Sequence, residues 1–426
     1  MLRRSLLAAS RSRWLAEHVP RYRFVRAAAR RFIAGDDINA ALGVASDLAR
    51  AGAAALVSRL GEDIANAEEI MRVCDHYRYA LDRIAEASLP AHISVKLSHL
   101  GLTAVSRSAE ISTDPRRREI ESDVFAAAIV PDRGPSQSAT HREEANGRVS
   151  AAATVPDRGA SRRSPQREEA ASGVDPDVTA DDARVAGLLA DIAGRAARTG
   201  SAVWVDMEGS ALTNRTIEIF RSVLRRHRNI GICLQAYLHR TERDLETLAA
   251  ETTAIRLVKG AYNEPPEIAW QRKEDVDAEF HRFALRLLEL HRDTRGGALS
   301  QERDRDSRHS NTHGHDGDLV QGGVHGDDPD AGLDPAPLPA LGTHDVALVD
   351  RILRDARKRG VPTSSFEIQM LDGIRVADRQ RLLAMADGPL VRVLISYGTD
   401  WFPWFVRRLA ERPANLALLA RSFVQR

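Results

Sequence analysis

Residues 255–262 read Ile255-Arg256-Leu257-Val258-Lys259-Gly260-Ala261-Tyr262, and residues 276–290 beyond them repeat apolar side chains at helical spacing. A short β-favouring run that stops at polar residues and leads into an amphipathic stretch is one strand–helix unit. Upstream, Ile232–Gln235 precedes the helical pattern Thr241–Ala250, and Val203–Asp206 precedes Thr216–Arg226. Before those, Ala54–Val57 precedes Asn66–Ala87 and Ile93–Leu97 precedes Asp181–Arg198. Downstream, Leu338–Gly342 precedes Val346–Arg359, Phe366–Gln369 precedes Val376–Ala386, and Val391–Ile395 comes last. Eight strands alternating with helices predict an α/β fold, a closed parallel (βα)8 TIM-like barrel with extra N-terminal helices. An open doubly wound sheet is the alternative. No Gly-x-Gly-x-x-Gly follows any strand, so the usual dinucleotide fingerprint is missing, and the order of elements favours the barrel.

Two stretches interrupt the alternation. In residues 113–179, Ala-Ala-Ala-Ile-Val-Pro-Asp-Arg-Gly (126–134) returns as Ala-Ala-Ala-Thr-Val-Pro-Asp-Arg-Gly (151–159), and Arg142-Glu143-Glu144-Ala145 returns as Arg167-Glu168-Glu169-Ala170. Two copies without an apolar face are too few for a solenoid, so the segment reads as a solvated low-complexity insertion. Residues 292–337, rich in Gly, Asp, His and Arg, read as a second disordered insertion. His309, His313, His315 and His325 lie in it without an apolar framework to hold a metal, so no metal site is expected. The whole chain, 1–426, is then a single barrel domain carrying two insertions.

The 426 residues are 43% apolar and carry a net charge of +1, which gives no reason to expect a nucleic-acid partner. Cys74 and Cys233 are the two cysteines, with neither a disulfide framework nor metal-ligand spacing, as suits a reducing cytoplasm. No apolar run is long enough to span a membrane, and the start, with Arg11 and Arg13 soon after Leu6-Leu7, reads as an amphipathic helix. Bases are almost all arginine; Lys96, Lys259, Lys273 and Lys358 are the four lysines.

Barrel enzymes work at the C-terminal ends of their strands. Here those ends are polar: Lys96 in Ser94-Val95-Lys96-Leu97-Ser98, then Asp206-Met207-Glu208, Gln235-Ala236-Tyr237, Arg256 with Lys259, Thr343-His344-Asp345, and Glu367 with Gln369. Charges inside buried β-runs are costly unless paired or ligand-bound. Singly, Arg256 or Asp206 can be half of an ion pair, His344 part of a capping turn, and Tyr237 or Tyr262 a rim aromatic. Together they predict one large polar ligand in the barrel mouth.

The ordered series Ile-Ser-Val-Lys-Leu-Ser, Val-Asp-Met-Glu, Leu-Gln-Ala-Tyr, Ile-Arg-Leu-Val-Lys-Gly-Ala-Tyr, Thr-His-Asp, Phe-Glu-Ile-Gln-Met-Leu and Arg-Arg-Leu-Ala-Glu-Arg-Pro-Ala-Asn resembles the proline dehydrogenase family, in its monofunctional bacterial form. The resemblance implies FAD at the mouth, oxidation of L-proline to 1-pyrroline-5-carboxylate, a quinone as electron acceptor, and a separate pyrroline-5-carboxylate dehydrogenase downstream. It leaves room for peripheral contact of a cytoplasmic protein with the inner membrane. By motif position, Gln235, Arg256, Val258, Lys259, Gly260, Tyr262, Thr343, His344 and Glu367 match cofactor positions. Lys96, Asp206, Leu394, Arg407 and Arg408 match positions around the substrate. Paired guanidiniums suit a carboxylate held over an apolar ring. Neighbours on a helix diverge by about 100°, so Arg407 and Arg408 reach one ligand only if that helix face tilts into the mouth.

Leu394, in Arg392-Val393-Leu394-Ile395-Ser396-Tyr397-Gly398, stands where the family pattern Arg-Val-Tyr-x-Pro has tyrosine. The flavin positions are untouched, but a hydroxyproline or another cyclic amine becomes an alternative substrate. Two readings from other classes remain: a Schiff-base aldolase-like barrel with Lys259 as nucleophile, and a non-catalytic barrel acting as a binding module.

Overall fold

The computed structural model describes residues 13–22, 25–26, 29–61, 64, 66–104, 176–310 and 336–411. Its strands are β1 (Ala54–Arg59), β2 (Ala91–Lys96), β3 (Val203–Asp206), β4 (Ile230–Gln235), β5 (Ile255–Val258), β6 (Ala340–Gly342), β7 (Glu367–Leu371) and β8 (Leu390–Tyr397). They pair in parallel in sequence order, and β8 closes on β1 with Ala54 opposite Arg392 and Arg59 opposite Tyr397. The closed parallel barrel is therefore observed, and the open sheet is ruled out.

Helices α1 (Arg13–His18) and α2 (Ile38–Arg50) precede the barrel. Then α3 (Ala67–Glu86), α4 (Pro176–Arg198), α5 (Thr213–Leu224), α6 (Thr241–Ala249), α7 (Lys273–Ser310), α8 (Val346–Lys358), α9 (Val376–Leu383) and α10 (Trp401–Glu411) follow successive strands. Local signals set the ends. The Asn66 side chain accepts a 2.9 Å hydrogen bond from Glu69 N at the start of α3, and Asp345 accepts one of 3.3 Å from Leu348 N at the start of α8. Ile70, Val73, Cys74, Tyr77, Leu81 and Ile84 form the buried stripe of α3.

Strand alternation sends every second residue outward. Val57, Ile93, Val95, Val203, Val205, Ile232, Leu257, Ile368 and Val393 join the helices in one large apolar layer. Inside the barrel the apolar content is small: Leu56, Trp204 and Ala340, with Leu394 packed on them. The remaining interior is polar. The N-terminal segment docks beside β8, where Ala34 N bonds Ser396 O and Gly398 N bonds Gly35 O, and Phe32 and Ile33 pack with Trp401, Phe402 and Phe405 of α10.

Both interruptions are entered by helix. α4 begins at Pro176, inside residues 113–179, and α7 runs to Ser310, well past Leu290. At position 292 the chain is still attached to the barrel, since Arg292 donates to the carbonyl of Arg359. The duplicated copies, His313, His315 and His325 lie outside the described residues. No helix among the described residues is long and apolar enough to cross a membrane.

Candidate active site

The rim is built where the inward-pointing rows of the strands run out. At the end of β3, Asp206 Oδ1 accepts from Ser94 Oγ at 2.7 Å and from Arg256 Nη2. Arg256 is 5% exposed, lies 5.5 Å from the ring centroid of Trp204, and has a long 3.5 Å contact to Gln369 Oε1. Burial is the largest influence and opposes its charge, but the Asp206 carboxylate and Cys233 together hold the guanidinium above its ordinary range. Gln235 closes β4, 2% exposed, with its amide nitrogen 3.4 Å from Met207 O. Three buried atoms on adjacent strands have no hydrogen-bond partner: Trp204 Nε1 on β3, Gln235 Oε1 on β4 and Arg256 Nε on β5. Buried polar atoms are seldom left so, and two donors beside one acceptor are the equipment for a polar ligand.

Beyond β5 the main chain turns against an aromatic ring. Gly260 has φ +117, and a Cβ there would lie 2.2 Å from Tyr237 Cδ1. Only glycine tolerates both the conformation and the approach. Gly342, at the end of β6, is similarly crowded, since a Cβ would fall 2.9 Å from Val258 Cγ1. Lys259 Nζ donates to Asp277 and, at 3.0 Å, to Asp345 Oδ2; Lys273 Nζ joins the same two carboxylates. Two of the four lysines thus share one charge-balanced lattice. Burial raises the Asp345 carboxyl, but the Lys259 ammonium, the Leu348 amide and the Lys273 charge together keep it below the usual range. His344 Nε2 accepts from Leu371 N at 2.8 Å, and Thr343 Oγ1 accepts from Asp345 N at 3.1 Å, which fixes the turn after β6.

The expected site residues therefore divide. Lys96, Asp206, Gln235, Val258, Lys259, Gly260, Thr343 and His344 stand at or just past the C-terminal ends of their strands, and Arg256 reaches that end through its side chain. Tyr262 is exposed on the loop after β5. Glu367 is not brought to the rim. It is the first residue of β7, opposite Leu390, the first of β8, and both its oxygens are taken by Arg392 Nε at 2.8 Å and Nη2 at 2.6 Å. The inward row of β7 runs Glu367, Gln369, Leu371, so the rim position belongs to Leu371 and Glu367 is half of an ion pair at the other end. Leu394 faces the interior with Leu56, Trp204 and Ala340. Arg407 and Arg408 fall within α10; their side chains lie outside the described residues.

Sequence reasoning missed the clasps between rim loops. Glu208 Oε1 accepts from Ser98 N at 3.0 Å and Oε2 from Ser98 Oγ at 2.7 Å. Glu264 holds Ser210 in the same two-point manner, at 2.8 and 2.7 Å. His99 Nε2 donates to Gly61 O at 2.9 Å and its Nδ1 accepts from Tyr77 OH at 3.0 Å. These partners are 38 or more residues apart, except Tyr77 and His99, and no local spacing announces them. Among the described residues no three His, Cys, Asp or Glu side chains are grouped to hold a metal ion.

The arrangement of strands, mouth and rim can be set beside known proteins. The sequence pattern of the family described as Proline dehydrogenase matches residues 41–421. The chain belongs to the proline dehydrogenase family. Proline dehydrogenase 1 of Bacillus subtilis subsp. natto is 26% identical over 426 residues, covering 100% of both chains. Proline dehydrogenase of Deinococcus radiodurans is 30% identical over 236 residues, 55% of this chain and 61% of that one. Among solved structures, proline utilization A from Bdellovibrio bacteriovorus matches with a TM-score of 0.58 and 17% identity, over 90% of this chain and 32% of that chain. A variant of proline utilization A from Bradyrhizobium japonicum gives 0.52 and 19%, over 92% and 31%. The proline dehydrogenase chain thus spans about a third of those longer proteins, and at these identities the likeness is one of fold.

Proposed function

We propose that this chain is an FAD-dependent dehydrogenase that oxidises L-proline to 1-pyrroline-5-carboxylate, the first step of proline catabolism to glutamate, and passes the electrons to a quinone. The observation that carries the reading is the trio of unpartnered buried atoms, Trp204 Nε1, Gln235 Oε1 and Arg256 Nε, on three adjacent strands beneath the rim. Family membership and its relatives' names supply the substrate class.

The donor set fits a flavin. Gln235 offers an acceptor, Arg256 a cation to balance an anionic reduced ring, and Gly260 and Gly342 a close approach of main chain. Val258, Lys259, Tyr262, Thr343 and His344 complete the wall at which it would be held. Bound there, the flavin supplies the acceptor for the hydride that leaves the ring carbon next to nitrogen. The chain does the rest. Lys96, with Arg407 and Arg408 from α10, takes the substrate carboxylate, and Asp206 holds Arg256 in place. Leu394 with Leu56 and Trp204 forms a small apolar patch beneath. Both N–H donors of Lys259 that are seen go to carboxylates, an arrangement for a structural cation and not for a Schiff-base nucleophile.

The product calls for a second, pyrroline-5-carboxylate-oxidising enzyme, and a quinone acceptor would bring a cytoplasmic protein to the inner membrane. The absence of a tyrosine at Leu394 favours a second reading, a hydroxylated proline or another small cyclic amine as substrate. One experiment tests both. The purified protein is expected to carry a flavin absorption band that L-proline bleaches under anaerobic conditions. A colourless protein overturns the proposal; a band bleached by a hydroxyproline or another cyclic amine, and not by L-proline, establishes the second reading.

A further inference from the structure

Lys96 leads into the 3-10 turn Leu97–Leu100 after β2, and almost everything in that turn is tied down. Leu97 and Leu100 are fully buried, His99 bridges Tyr77 and Gly61, and Ser98 is clasped by Glu208. The Lys96 ammonium, half-buried, has no hydrogen bond or ion pair among the described residues. Yet two carboxylates are its neighbours. Asp206 is its register partner across β2 and β3, and Glu208 follows two residues later. Each is already engaged: Asp206 by Arg256 and Ser94, Glu208 by both donors of Ser98. Burial pushes the Glu208 carboxyl up, while Ser98 first and then the charge of Lys96 pull it down, so ammonium and carboxylate lie close enough to interact. Opposite charges at that range form a pair unless something competes. Ser98 competes with two donors fixed by the turn, against one ammonium on a flexible stem that loses rotamer freedom in pairing.

We propose that Ser98 is a positioning residue that keeps Glu208 away from Lys96, so that the Lys96 ammonium stays available to the carboxylate of the substrate. The inference rests on the reading of Lys96 as a substrate-binding group. It makes a neutral residue outside the contact shell a determinant of substrate affinity, by denying a rim cation a neighbouring internal partner.

The test uses flavin-loaded full-length protein and cyclopentanecarboxylate, a five-ring acid that cannot be oxidised at nitrogen. Calorimetry gives its Kd, and steady-state turnover of L-proline with an artificial acceptor gives KM and kcat. Ser98→Ala frees one oxygen of Glu208 for Lys96, so Kd and KM are expected to rise about tenfold, the equivalent of about 1.4 kcal/mol, with kcat changed less. Adding Glu208→Gln removes the competing charge, and the double variant is expected to return to within about twofold of wild type. Glu208→Gln alone keeps both hydrogen bonds to Ser98 and is expected to bind the acid at least as tightly as wild type. An unchanged Kd in Ser98→Ala overturns the proposal, as does a double variant as weak as the single one, or a tenfold loss in Glu208→Gln alone. Failure of the underlying reading shows separately, as a Lys96→Met protein that binds the acid as tightly as wild type.

Discussion

His99 shows how much a single buried side chain can fix. One ring nitrogen donates to Gly61 O and the other accepts from Tyr77 OH, so the neutral tautomer with hydrogen on Nε2 joins β1's loop to α3. Burial first, then the charge of Lys96, lowers its pKa from 6.5 to about 4. The folded value lies below the unfolded one, so the neutral ring favours the fold. Its stabilisation is complete above pH of about 6.5 and is lost as pH falls toward 4. For this one group the loss is up to about 3 kcal/mol. His76, lowered to about 4 chiefly by burial, and His92, held well below its ordinary value by burial first and then by the Arg392 charge, act in the same direction. Unfolding free energy measured by urea between pH 7 and 4.5 is expected to fall steeply, and His99→Gln to flatten that slope by up to one proton. A variant with the wild-type slope would show that His99 keeps an ordinary pKa in the fold.

At the level of elements, the decisive pairing is β7 with β8. Glu367 and Arg392 exchange two hydrogen bonds inside the barrel, Gln369 Nε2 adds a third to Glu367 at 3.1 Å, and Arg392 Nη1 reaches Ala55 O at 2.9 Å on β1. The pair therefore spans the seam where the barrel closes. Removing one partner strands a buried charge, so Arg392→Met is expected to lose about 3–5 kcal/mol in denaturant unfolding. Removing both is far milder, because no ion is left without its partner, and Glu367→Leu with Arg392→Met is expected to recover most of the loss. If Glu367 served the cofactor instead, the double variant would be stable but colourless. Which strand residues point inward was legible from the alternation of Phe366-Glu367-Ile368-Gln369-Met370. Which end of the strand carries the rim was not, because that depends on where β7 starts and on how the tilted strands register around the barrel. The same limit hid Ser98–Glu208 and Ser210–Glu264, which join loops that meet only once the barrel has closed.

For the whole molecule, the alternation of strand and helix was readable between Ala54 and Ile395, outside the two insertions, because each β-run stops at polar residues and each helix keeps one apolar stripe. The ends of α4 and α7 were not, because charged, small-residue sequence such as Pro176–Ala180 or Arg295–Ser310 carries no apolar periodicity to mark them. That contrast bears on the duplicated segment. The β2–β3 ladder is complete without it, from Ile93 opposite Val203 to Lys96 opposite Asp206, and α4 places Val185, Leu189, Ile192 and Ala196 in the same apolar layer as Val203 and Val205. Loop-closure entropy changes slowly with length, so shortening the connection by 45 residues, positions 126–170, should alter stability by less than about 1 kcal/mol. The deletion is therefore expected to leave Tm within a few degrees of the full chain and the flavin-to-protein ratio unchanged. Both can be read from one preparation, by thermal unfolding and by the visible spectrum. A folded deletion variant without colour would show that the duplicated segment is needed to retain the flavin and is more than a solvated insertion.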